Sequence, residues 1–153
     1  MTTSLTLVRR IAARPGIVFD AFVTPEAILQ WWSPDEGPVL ETAVDLRVGG
    51  QFRVRFRTMD GKEHEGNGRY LEVERPRRIV MAWHWSHNGE MDERAEESRV
   101  EIDLREIDSG TELTFTHAQL KTEASRASHE AGWTGALSRL SALFERPGDP
   151  HAS

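Results

Sequence analysis

The sequence predicts an α+β fold in which a curved antiparallel sheet, apolar on one face, wraps around a long C-terminal helix, with two short helices after the first strand. Three observations carry this. From Gln51 to Arg57 the side chains alternate strictly, and strand side chains point to opposite faces in turn. Phe52, Val54 and Phe56 therefore share a dry face, while Arg53, Arg55 and Arg57 share a wet one. The same period of two runs on through the middle of the chain, and from Thr122 it gives way to a helical period that puts Trp133, Ala136, Leu137, Leu140 and Phe144 on one side. One apolar sheet face, one long striped helix and no second sheet leave the helix as the sheet's cover. Each Phe or Val so buried gains roughly 1.5–3 kcal/mol.

The elements follow in order. Residues 5–11 read as a strand with Leu5, Leu7 and Ile11 on one face and Arg9 interrupting it. Pro15 suits the first turn of a helix reaching Val23, striped by Val18, Phe19, Phe22 and Val23. Thr24 is placed to cap a second, short helix that begins at Pro25 and ends at Trp31 and Trp32. After the turn-rich stretch 33–38, strands are expected at 39–47, 51–58, 62–74, 78–86, 98–107 and 111–117, with Leu40, Val44 and Leu46 facing inward on the first of these. Asp60-Gly61 and Asp108-Ser109-Gly110 are hairpin signals, so neighbouring strands are mostly antiparallel. In 62–74 the first half is polar on both faces, which leaves its facing open. Gly66 and Gly68 there invite a bulge or a close backbone approach.

At 153 residues the chain fits one domain, residues 1–146, followed by a fraying Pro- and Gly-containing tail at 147–153. The absence of cysteine excludes disulfides and thiolate chemistry and fits a cytoplasmic location. The N-terminus lacks the pattern of a secretory signal, and no apolar run is long enough to span a bilayer. A net charge of −6 argues against nucleic acid as a partner.

Trp31-Trp32-Ser33-Pro34, the run Asp45-Leu46-Arg47-Val48-Gly49-Gly50-Gln51-Phe52, the stretch from Gly66 to Trp83, Thr116-His117 and Gly132-Trp133 together resemble the bacterial proteins homologous to the C-terminal domain of the activator of Hsp90 ATPase. That family belongs to the START-like, Bet v 1-like (SRPBCC) superfamily. The resemblance covers nearly the whole chain and implies the helix-grip fold. It also implies an apolar or amphipathic molecule held between sheet and last helix, with a minority of superfamily members acting as cyclases, hydrolases or dehydratases. The activator grips its chaperone with a further N-terminal domain for which this chain has no room, so Hsp90 is not expected as a partner.

The residues expected to line a ligand cavity are Trp32, Phe52, Val54, Phe56, Met81, Trp83, Trp85, His117, Trp133 and Leu137. An empty apolar void of roughly 300 Å³ would cost on the order of 7 kcal/mol, comparable to a domain's stability, so such a cavity must hold solvent or ligand or be narrowed by bulky side chains. Five tryptophans suit the narrow version. His117 falls on the dry face two residues after Phe115. It is the one weak catalytic candidate, because histidine titrates near neutrality, but no Ser, Cys or carboxylate stands at a spacing that makes it a triad.

His84, His87, Glu90 and Asp92 do not share one rigid face, so no metal site is expected, and no cofactor. Residues 90–97 read as a solvated acidic loop, and Arg53, Arg55 and Arg57 as cross-strand partners of acids such as Glu101 and Asp103. The leading expectation is a non-catalytic protein for a small hydrophobic ligand. The alternatives are an enzyme using His117 as acid or base, and a co-chaperone or stress-related protein-binding module. A homodimer is compatible with all three.

Overall fold

Alternating side chains build most of the molecule. The computed structural model describes residues 2–87, 90–91 and 97–145. Its strands are β1 (Thr3–Ile11), β2 (Val39–Val44), β3 (Gln51–Arg57), β4 (Glu63–Glu74), β5 (Arg78–His87), β6 (Glu90–Met91), β7 (Ser98–Ile107) and β8 (Gly110–Leu120), and its helices are α1 (Pro15–Val23), α2 (Pro25–Trp31) and α3 (Glu123–Leu143). The strands form one sheet in the order β1-β8-β7-β5-β4-β3-β2, with the two-residue β6 paired to β5. All pairings are antiparallel. This is the helix-grip arrangement, an open sheet with α3 against its apolar face. No helix among the described residues is long and apolar enough to cross a membrane.

The dry face consists of Leu5, Leu7 and Ile11 of β1, Phe52, Val54 and Phe56 of β3, Ile79, Met81 and Trp83 of β5, Val100, Ile102 and Leu104 of β7, and Leu113 and Phe115 of β8, all buried. Helix α3 covers it with Trp133, Ala136, Leu137 and Leu140. Thr122 caps that helix, its hydroxyl accepting the Ser125 N–H at 3.0 Å. Helix α2 begins at Pro25 as expected, but the Thr24 hydroxyl makes no capping bond.

The facing of β4 is settled by its neighbours. His64, Gly66, Gly68 and Tyr70 point inward, and the register shifts only beyond Tyr70. A Cβ on Gly66 would sit 2.5 Å from Trp83 Cζ2, and one on Gly68 would sit 2.8 Å from Met81 Sδ. The two glycines therefore leave the space that the β5 side chains fill. Strand β2 is shorter than expected. It stops at Val44, and Leu46, expected on the dry face, is exposed because the chain has already turned toward Gly49.

The arginines of β3 pair with acids, but not with the expected ones. Arg53 and Arg55 reach Glu41 of β2, while Arg55 and Arg57 reach Glu63 of β4, at 2.8 and 3.1 Å. Glu101 and Asp103 lie beyond β4 and β5 in the strand order, where they take Arg78 at 3.0 and 2.7 Å. Pairs this exposed contribute at most about 1 kcal/mol each. The charged face is also not uniformly wet. Val80 and Ala82 at its centre are buried beside Glu72, Arg69, Arg99 and Glu101, whose aliphatic stems suit the cover.

The loop after α2 is tied down on two sides. Asp35 accepts the Gly37 N–H at 2.8 Å and the Met59 N–H at 2.9 Å, joining the loop to the β3–β4 hairpin. On the other side Pro34 meets α3 at its glycines, and a Cβ on Gly135 would lie 2.1 Å from the Pro34 carbonyl oxygen. A glycine inside a helix costs about 1 kcal/mol relative to alanine, and here it permits that approach.

Candidate functional site

Trp32, the last residue before this loop, stands at the centre of an aromatic cluster. Its ring centroid lies 4.9 Å from Phe52, 5.5 Å from Trp133 and 6.1 Å from Trp83. Trp83 and Trp133 are 5.8 Å apart, and Phe115 backs Trp133 at 4.6 Å. Rings thus fill the middle of the space between sheet and helix.

A half-open cleft of about 460 Å³ remains beside the cluster. Its walls come from the α2–β2 loop (Trp32, Ser33, Pro34, Asp35), β3 and the residue after it (Phe56, Thr58), β4 and β5 (His64, Trp85), and the middle of α3 (Ser128, His129, Ala131, Gly132, Trp133, Ala136). Of the ten residues expected to hold a ligand, Trp32, Phe56, Trp85 and Trp133 line this cleft. Phe52, Val54, Met81, Trp83, His117 and Leu137 lie behind it in the core. Met81 and Trp83 are taken up by the space over Gly66 and Gly68, and Leu137 by the helix–sheet contact.

Two histidines stand at the junction of cluster and cleft. The Trp133 indole N–H donates to His117 Nδ1 at 3.0 Å, and the Ser98 hydroxyl lies 2.7 Å from His117 Nε2. An indole N–H is a donor only, so Nδ1 is the bare nitrogen and Nε2 carries the proton and donates to Ser98. Ser98 in turn lies 3.4 Å from the Trp83 carbonyl oxygen, to which its hydroxyl donates. His129 repeats the wiring with the nitrogens exchanged. Its Nε2 accepts the Trp85 indole N–H at 2.9 Å, and its Nδ1 donates to the Ser125 carbonyl at 2.8 Å. The two imidazoles meet edge to face, 4.7 Å between centroids.

Both are therefore held neutral. Burial, reinforced by His129 beside it, pushes His117 down to about 3. Burial also lowers His129, against the opposing pull of the Ser125 carbonyl. The Ser98–His117 pair looks like half of a nucleophile dyad, but its polarity is reversed. A base must present a lone pair to the hydroxyl it deprotonates, whereas His117 presents its N–H to Ser98 and its lone pair to Trp133.

Ser98, His129 and His64 were missed by the sequence reading, although each had a signal. Ser98 precedes Val100, Ile102 and Leu104 by steps of two, His129 precedes Trp133 by one helical turn, and His64 precedes Gly66 by two. Of the residues considered for a metal, His84 stands opposite Asn67 on the charged face. The side chains of His87 and Glu90, and all of Asp92, lie outside the described residues, as do residues 146–153, which include the tail expected at 147–153. No group of three potential ligands occurs among the described residues.

A family model, activator of Hsp90 ATPase homolog 1-like protein, matches residues 12–145. The chain belongs to that family. The structures similar to it include protein CV1439 from Chromobacterium violaceum, with 28% identity, 92% of this chain and 95% of that one covered, and a TM-score of 0.79. Another is the AHSA1 protein SPO3351 from Silicibacter pomeroyi, with 26% identity, 92% and 96% covered, and a TM-score of 0.80. Protein Ms6760 from Mycobacterium smegmatis, at 20% identity, covers 92% of this chain and 90% of its own with a TM-score of 0.82, a likeness of fold alone. No curated protein matches the sequence. In this activator-homologue chain the segments that carry the resemblance converge. Trp32 and Pro34 meet Gly132, Trp133 and Gly135, and Trp133 meets His117.

Proposed function

We propose that the protein binds a small hydrophobic or amphipathic molecule in the cleft between the sheet and α3, without transforming it. The observation behind this reading is an aromatic-walled, half-open cleft next to two histidines whose nitrogens are all engaged, two of them by indole donors. The cleft's volume falls in the range of small-molecule sites. Its walls reward apolar contact, and His117 gives its N–H to Ser98 and its lone pair to Trp133, so it is not set up as a base.

Three tryptophans line the cleft, so binding is expected to change the intrinsic fluorescence. Titration with the neutral apolar dye Nile red should quench it saturably at one site per chain. Native mass spectrometry of the freshly purified protein is the companion measurement, which detects a molecule carried through purification. The reading fails if no neutral apolar probe gives a saturable change and no bound mass is found.

A further inference from the structure

The walls of the cleft differ in one respect from those of a general apolar pocket. Trp32 and Trp133 meet at 82°, and Phe56 and Trp85 at 79°, so the aromatic walls form corners instead of a flat stack. An aromatic face carries negative charge density and attracts a cation held within about 6 Å of its centre. Trp32, Phe56, Trp85 and Trp133 all line the cleft, so a group bound there lies against aromatic surface.

The charges point the same way. Asp35 is the only carboxylate among the described lining residues, and none of those residues is Lys or Arg. The Asp35 carboxylate is fixed by two backbone N–H groups, which orient it but bring no formal positive charge. His129 contributes no cation, since its Nε2 lone pair is taken by the Trp85 indole. An anionic head group would thus face a carboxylate with no Lys or Arg among the described lining residues to offset it, while a cationic one would find a carboxylate among aromatic side chains. The other lining imidazole, His64, is stacked on Phe56 at 5.3 Å.

We propose that the cleft selects an organic cation, a quaternary or tertiary ammonium group carried on an apolar body. This deepens the ligand-binding reading and rests on it.

The test compares three probes of similar shape for displacement of Nile red at 0.15 M salt: benzyltrimethylammonium, its neutral carbon isostere neopentylbenzene, and the anion 4-tert-butylbenzoate. The cation is expected to bind roughly tenfold more tightly than the isostere, and the anion more weakly than both. Asp35→Asn should reduce the cation-to-isostere ratio severalfold. Because that change also disturbs one of the two backbone contacts, Trp85→Leu serves as a second variant, and it too should lower the ratio. Equal binding of cation and isostere, or preference for the anion, overturns the cation proposal and leaves the ligand-binding reading standing. Failure of all three probes and of Nile red itself overturns both.

Discussion

Gly135→Ala is expected to destabilise the protein by about 2 kcal/mol, a fall in Tm of roughly 4–8 °C. The direction is opposite to what helix propensity alone gives, since alanine inside a helix gains about 1 kcal/mol over glycine. The added methyl would lie 2.1 Å from the Pro34 carbonyl oxygen, far inside van der Waals contact. Pro34 cannot retreat freely, because the next residue, Asp35, is bonded to the β3–β4 hairpin. Either α3 lifts off the loop or the loop leaves the hairpin. Gly132→Ala is the internal control, one turn earlier on the same helix. Its methyl would meet only Pro34 Cβ at 3.6 Å, an ordinary contact, so this variant should be neutral or more stable by up to about 1 kcal/mol. Thermal and urea denaturation of the two variants read the contrast directly. Equal effects would show that the loop does not press on the helix at Gly135.

The histidine wiring gives the second large effect, a loss of stability between pH 6.5 and 5. Above about 6.5 a histidine is neutral in both folded and unfolded chains and contributes no slope. Below that value the unfolded chain takes up a proton. The folded chain takes up none at His117, which is pushed down to about 3, and His129, lowered by burial, acts in the same direction. The unfolded state then binds more protons, so stability falls with pH by about 1.4 kcal/mol per unit at His117, which removes about 2 kcal/mol by pH 5. Carboxylates act in a lower window. Glu63, Glu101 and Glu112 are held low by hydrogen bonds from Arg57 and Arg55, from Arg99 and Arg78, and from Arg105, and their contribution is lost only as pH falls below about 4.3. Urea denaturation from pH 7.5 to 5.0 therefore isolates the histidines. His117→Gln, whose amide can accept from Trp133 and donate to Ser98 without titrating, should flatten much of the slope. An unchanged slope in that variant would mean that His117 is not the buried neutral group described.

The architecture was readable in the sequence because it rests on periodicity. Phe52, Val54 and Phe56 are buried as their spacing requires, and α1 occupies the residues that Pro15 and the apolar stripe mark out. The pattern became unreliable where it depended on strand length or on sheet order. Nothing local marks the end of β2 at Val44, so Leu46 was expected inside. The partners of Arg53, Arg55 and Arg57 depend on which strands flank β3, which no single strand's pattern can show. The site was legible in part for the same reason. Facing picked out aromatic residues on the dry side, but lining a cleft depends on which side chains leave space, and this is a property of pairs. Gly66 decides where Trp83 goes, and Trp83, with Trp32 and Trp133, decides that the centre is filled and the opening lies nearer Phe56 and Trp85. The polarity of the Ser98–His117 pair is a further step removed, since it follows from an indole on another element.

Ala131 allows the most direct test of the central claim that the cleft is a ligand site. It lines the cleft from an exposed position on α3, so a large side chain there can enter the space without displacing the core. Nile red titration of the wild-type protein and of Ala131→Trp is the measurement. A loss of affinity of at least tenfold in the variant, with Tm unchanged, is the predicted result. Equal affinity of both proteins for the dye would contradict it, since the probe would then bind somewhere other than the cleft.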